Sequence, residues 1–243
     1  MRRRKATNEV LDLDQEGIPE WKRQSMARSL QSARARADAR CDRFVAVATQ
    51  LMNEKGDTDF TVQDVVDRSR MSIRTFYRFF ESKDKLLIAV HESVVAREVV
   101  PRLRRECDKE TDPLLRLRAY IEALLALTAK PGRVARALTS YQNRLAETRP
   151  ANLAKGLKPQ FDLLVELIDD ISRAGRLRDD LNVQAVARLV HYTVFTAVHE
   201  RVLGSDGALD VTAETIWRFC ATGITVRDSG ATRSDRPTRA PKA

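Results

Sequence analysis

The sequence has little of what enzymes and secreted scaffolds are built from. Its three cysteines, Cys41, Cys107 and Cys220, are far apart and form no CxxC pair. Neither a disulfide framework nor a thiolate zinc site is expected, and they read as small buried hydrophobes in a reducing, cytoplasmic setting. There are three histidines, His91, His191 and His199, and the last two stand eight positions apart. A metal pair on one helix takes a spacing of three or four, and "HER" at 199 does not continue as HExxH. No metal and no cofactor is therefore expected. GxSxG, Walker and GxGxxG motifs are absent. The adjacent acids Asp169-Asp170 and Asp179-Asp180 read as solvated helix faces or caps, so no enzymatic activity is expected. No apolar run approaches the roughly 18 residues that span a bilayer, and no apolar region follows the opening "MRRRK". Neither a membrane partner nor a secretory signal is implied. Strand-like alternation is confined to a few residues, and no solenoid repeat occurs.

What is present is positive charge and helical period. The 243 residues carry 43 Lys and Arg against 34 Asp and Glu, a formal net charge of +9. By charge alone such an excess fits any polyanionic partner, nucleic acid or an anionic membrane surface, and the cap-turn-cap pattern around 61–80 disfavours the membrane. Phe44, Val47, Ala48 and Leu51 fall at i, i+3, i+4 and i+7, an amphipathic helix that Gly56 is placed to stop. Thr61 with Asp64 resembles a capping box and opens a short helix through about Ser69. Ser72 opens another through about Phe79. A longer helix starts near Lys83, and Pro101 is expected to kink or end it. Wider apolar stripes follow over 112–130, 132–147, 159–175, 182–204 and 211–224. The expected architecture is all-α, with a small helix-turn-helix domain over 39–98 and a larger helical domain over 99–226. A flexible basic extension precedes them over 1–38, and a disordered tail follows over 227–243.

The stretch "MSIRTFYRFF", 71–80, crowds aromatics and cations together. On a helical wheel Phe76, Phe79 and Phe80 share one side, suited to packing on Phe44, Leu51, Val62 and Val65. Ile73, Arg74, Tyr77 and Arg78 share the other, with Ser72 and Thr75 at the edge. That second face has major-groove chemistry, since Arg pairs with guanine O6 and N7 and an aliphatic group meets a thymine methyl. Hydroxyls at helix starts, Thr61 and Ser72, suit phosphate oxygens, as do the Tyr77 phenol and Lys83. The candidate DNA contacts are Thr61, Ser72, Ile73, Arg74, Thr75, Tyr77, Arg78 and Lys83.

At this point "FTVQDVVDRSRMSIRTFYRFFESKDKLL", 60–87, resembles the N-terminal domain of TetR-type transcriptional regulators. The resemblance spans about Asp38 to His91, through Thr61, Met71-Ser72, Thr75-Phe76-Tyr77, Phe79-Phe80, Lys83 and Leu86-Leu87. Two positions depart from the pattern: Arg70 stands where the family usually has Gly, and Arg78 where His is common. The resemblance implies a homodimer on a double-stranded DNA operator and an effector pocket in the larger domain. For the dimer interface, helical spacing offers Val183, Val186, Val190 and Val194 with Ile216, Phe219 and Cys220. For a small apolar or amphipathic effector it offers Tyr120, Leu124, Tyr141, Phe161, Leu164, His191, Tyr192 and Phe195, each of which is also an ordinary core candidate. A repressor released by its effector is the leading expectation. An activator, a regulator answering a protein partner and a helical enzyme with a DNA-binding appendage stay open.

Overall fold

A computed structural model describes residues 19–204 and 211–226. Ten α-helices and one π-helical turn lie among these residues, and the only β pairing described is the single bridge Leu177–Thr225. The expected tail at 227–243 lies outside the described residues.

Helix α1, Glu20–Lys55, ends at Gly56 in the left-handed region, φ 81°, with the Gly56 N–H returned to the Met52 carbonyl. The stop falls where the sequence put it, but the start does not. The helix begins at Glu20, well before Phe44, so the expected boundary at residue 38 falls inside continuous helix. Arg and Ala dominate 20–43, good helix formers that need no core to favour a helix. Helix α2, Val62–Ser69, carries the capping box, and α3, Ile73–Phe79, is capped by Ser72. Helix α4 covers Lys83–Val94 and α5 covers Val100–Cys107.

Between α4 and α5 the chain stays helical through a π turn at Val95–Val99. In a regular helix the Pro101 ring would press on the carbonyl of Arg97. One widened turn avoids that contact, so the proline re-phases the helix instead of ending it. The expected boundary at residue 98 is thus also spanned by helix.

Helices α6 (Pro113–Ala126), α7 (Arg133–Thr148), α8 (Pro150–Arg173), α9 (Val183–Leu203) and α10 (Ala213–Ile224) complete the chain. Helix α8 starts nine residues before the expected Pro159 and passes straight through it. Buried Gly156, Leu157 and Gln160 anchor the helix on both sides of the proline, so packing outweighs the lost hydrogen bond. A half-buried ion pair between Arg116 and Asp170 ties α6 to α8.

Two cores form. One gathers Phe44, Val47, Leu51, Val65, Phe76, Leu86 and Val90, together with Ala137, Leu138, Tyr141 and Leu145 of α7. The other joins α5, α6, α8, α9 and α10 around Leu117, Tyr120, Leu164, Leu167 and Val190. Helix α7 therefore serves the first core as well as the larger half of the molecule.

Candidate DNA interface and ligand cavities

The reading helix is positioned by three side-chain caps. The Thr61 hydroxyl accepts from the Asp64 N–H at 3.0 Å, and the Asp64 carboxylate accepts from the Thr61 N–H at 2.7 Å. Those bonds hold the Asp64 carboxyl below the usual carboxylate range. The Ser72 hydroxyl accepts from the Thr75 N–H at 3.1 Å and also pairs with the Thr75 hydroxyl at 2.8 Å. Ser82 caps α4, accepting from the Lys85 N–H. Between α2 and α3 the chain turns at Arg70, φ 57°, ψ 35°, the one non-glycine residue described at positive φ. The turn that glycine usually makes is therefore retained with arginine in it. Arg43 of α1 braces it, its Nε donating to the Ser69 carbonyl at 2.9 Å.

Phe76 is fully buried, edge-on to Phe44 at 5.5 Å and 5.7 Å from Phe80. These contacts fix the roll of α3 and leave Ile73 48% and Tyr77 54% exposed. Arg74 and Arg78 are exposed beside them, Thr61 and Ser72 are exposed at the helix starts, and Thr75 is half-buried. Arg78 lies over the Phe79 ring at 5.1 Å, so part of its guanidinium face is already engaged. Lys83 sits 5.1 Å over Phe60, and burial lowers its pKa. The cation–π contact holds its stem against the domain.

Two adjoining cavities occupy the larger half, with Leu157 and Phe195 lining both. The inner one, about 130 Å³, reaches His91, Val94 and Val95 on the helix that leaves the reading head. The outer one, about 490 Å³, has an apolar floor of Leu153, Ala154, Leu157, Phe161 and Phe195. Lys158 and Arg188 stand at its edge, Lys158 already paired with Asp162. A polar chain crosses from α4 to α9. The Gln142 amide nitrogen lies 2.5 Å from His91 Nε2, and the Gln142 amide oxygen lies 3.1 Å from His199 Nε2. Gln142 donates to one imidazole and accepts from the other, which needs His91 neutral with its proton on Nδ1. Burial agrees, lowering the His91 pKa to about 4 and moving His191 and His199 downward too.

The expected effector residues divide. Leu124 lines the inner cavity, Phe161, His191 and Tyr192 the outer, and Phe195 both. Tyr120 and Leu164 line neither cavity. Both are fully buried in the core, where the Tyr120 hydroxyl accepts from Gln160 Nε2 at 3.3 Å. Tyr141 is also displaced from the cavities: its hydroxyl donates to the Asp84 carbonyl at 3.1 Å, fastening α7 to the start of α4. Sequence reasoning missed His91, Gln142 and Gln160. A polar residue at a core-facing position, such as His91 between Val90 and Val94, was the available signal.

The expected dimer residues also need correction. Val186, Val190, Val194, Ile216 and Cys220 are buried in their own chain's core, and Val183 packs partly against it. A stripe at helical spacing is selected by whichever partner is nearest, and here that partner is the same chain. Of the expected set only Phe219 is exposed, at 70%, and Leu189 and Tyr192 on α9 are exposed as well.

Among the described residues no group of three or more His, Cys, Asp or Glu is placed to hold a metal ion. None of the described helices is long and apolar enough to cross a membrane.

A braced helix-turn-helix thus stands ahead of a larger helical body that carries two adjoining cavities, a two-part, all-helical design. Residues 44–90 match the family model for bacterial regulatory proteins, tetR family. That match covers the helix-turn-helix part of the chain, from the inward face of α1 to α4. Solved structures share the fold over most of the chain. A tetR-family regulator from Pectobacterium atrosepticum is 21% identical with TM-score 0.59, over 78% of this chain and 92% of its own. The tetR-family repressor FadR from Thermus thermophilus, in complex with lauroyl-CoA, is 18% identical with TM-score 0.61, over 80% and 100%. RolR, in complex with resorcinol, is 16% identical with TM-score 0.62, over 79% and 91%. A comparison with curated protein sequences finds no match.

Proposed function

We propose that this regulator is a homodimeric repressor that leaves a two-half-site operator when a small molecule fills its cavities. The observation that carries the reading is the position of His91. It belongs to α4, the helix that begins beside the reading head at Lys83, and it also lines the inner cavity. A ligand entering there competes for the Gln142 bond and for the space beside α4. Binding and head position are then coupled, and the coupling must be reciprocal.

The ligand class follows from the walls. The outer floor is apolar, and the exposed Arg188 at its edge is a cation. An amphipathic molecule with an anionic or strongly polar head suits that arrangement. Similar proteins hold lauroyl-CoA and resorcinol, which supports a cavity of this kind without fixing its occupant.

The test is a thermal-shift screen of amphipathic acids and phenols, followed by operator titration with every stabiliser. Compounds that stabilise the protein are expected to weaken operator binding, and operator is expected to weaken their binding by the same factor. Stabilisers that leave operator affinity unchanged would overturn release by ligand.

A further inference from the structure

The first half of α1 is not used by either core. Every residue from Pro19 to Arg36 is exposed, and sustained burial begins only at Phe44. Glu20 to Arg43 spans about 36 Å at 1.5 Å per residue, close to one turn of B-form DNA. The arm carries cations on more than one side, Arg23 and Arg34 among them, but one side is free of acids. Lys22, Ser25, Ser29, Ser32, Arg36 and Arg40 recur at steps of three and four and form one narrow stripe. The arm's acids keep away from it. Glu20 and Asp38 fall on the opposite side, with Glu20 paired to Arg23, and Asp42 is turned to Arg97 at 2.9 Å. The stripe runs directly into Arg43, whose guanidinium braces the turn ahead of α3 through the Ser69 carbonyl. Cations and hydroxyls therefore continue from the base of the reading head along one continuous helix.

We propose that this arm is a second DNA-contacting element, laid along the phosphate backbone that flanks each half-site. Lysine, arginine and serine are the side chains that bond phosphate oxygens, and none of the stripe residues is suited to an apolar groove. The contacts would carry no base preference. They would lengthen the footprint and steepen the salt dependence. The proposal rests on the DNA-binding reading of the head, and the experiment separates the two.

Arg36→Ala and Arg40→Ala, singly and together, are made in the full chain, with Arg74→Ala as the head control. Each is titrated against two duplexes over a range of salt concentrations. Both duplexes carry the same site from in vitro selection; one ends at the site and the other has about 15 extra base pairs on each side. The double arm variant is expected to bind the long duplex at least several-fold more weakly, with a salt slope shallower by about 0.9 for each phosphate left unneutralised. Its binding to the short duplex should match the parent, whereas Arg74→Ala should lose affinity for both. Equal binding of parent and arm variants to the long duplex would overturn the arm while leaving the head intact. A parent chain that binds neither duplex would overturn both readings. If the arm variants changed the sedimentation mass instead of DNA binding, the stripe would be a self-association surface and the proposal wrong.

Discussion

Gly156 of α8 lies so close to His91 of α4 that a β-carbon on it would sit 2.7 Å from the imidazole Nδ1. Glycine inside a helix costs about 1 kcal/mol relative to alanine, so on propensity alone Gly156→Ala would stabilise. The contact reverses the sign. Overpacking of this kind costs about 1–3 kcal/mol, so after the propensity gain of about 1 kcal/mol the alanine variant is expected to be less stable by up to about 2 kcal/mol in urea unfolding. Combined with His91→Ala, which opens the space, the two changes should be less than additive. Full additivity would show that α4 and α8 do not meet through this pair.

The same imidazole predicts a pH dependence. Unfolded, His91 gains its proton near 6.5; folded, only near 4. Between those values the unfolded chain holds more protons, so stability falls as pH is lowered through that window. At about 1.36 kcal/mol per pKa unit, the loss is on the order of 3 kcal/mol by pH 4. His191 and His199 shift in the same direction and add to the slope. The lowered carboxylates, Asp64 among them, act at lower pH and do not confuse measurements between pH 5 and 6.5. Urea unfolding across that range should show the slope, and His91→Asn should flatten it. An unchanged slope in the variant would remove His91 as its source.

The left-handed turn at Arg70 offers a third test. A non-glycine residue there costs about 1 kcal/mol or more, while glycine in its place raises the entropy of the unfolded chain. The net expectation for Arg70→Gly is a gain of a few tenths to about 1 kcal/mol, read as a higher Tm. If Tm fell, the Arg70 side chain would have to supply a contact that outweighs the strain of the turn.

These cases show which features can be read along the chain. The caps at Thr61 and Ser72, the stop at Gly56 and the strained turn at Arg70 depend on neighbours within four positions, so the sequence reveals them. The inward phenylalanines of α3 were legible because seven residues of helix admit one buried side. The valines of α9 were not. Val186, Val190 and Val194 make an apolar stripe whether a second chain or the same chain covers it, and the covering helices come from distant segments. The Gln142 bridge between His91 and His199 is of the same kind: its partners are 51 and 57 positions away. Pro159 misled for a related reason, since packing on both sides of it kept α8 running, whereas at Pro101 a local π turn accommodates the ring.

Self-association is best sought on the face that remains exposed. Leu189 and Tyr192 of α9 and Phe219 of α10 are 67%, 57% and 70% exposed. A charge placed there would be stranded in an apolar interface. Phe219→Glu and Leu189→Glu are expected to yield a folded monomer in sedimentation at micromolar concentration, where the parent is expected to sediment as a dimer. A monomeric parent that binds operator with full affinity would exclude the dimer. Because Val190 lies in the core, Val190→Glu should instead unfold the protein.

The last test separates base reading from phosphate holding within the head. Arg74 is exposed on the first turn of α3, where base edges are most accessible to a helix in the major groove. Lys83 starts α4, and its ammonium is steadied over Phe60, where a phosphate is its natural partner. Arg74→Ala is expected to cost about 1–3 kcal/mol on the operator and to relax preference at one base position in each half-site. Lys83→Ala should weaken binding to all sequences alike and make the salt slope shallower by about one unit per half-site. It should also lower stability slightly, because alanine cannot cover the Phe60 ring. Tyr77→Phe removes a neutral hydrogen bond, so it should weaken binding without changing the salt slope. Titrations on operator and scrambled duplexes at several salt concentrations distinguish the three patterns. Equal losses on both duplexes for Arg74→Ala would move base reading to Ile73 or Arg78. Arg78 would then have to leave the Phe79 ring it covers, a rearrangement that solution NMR of the arginine side chains would detect on binding.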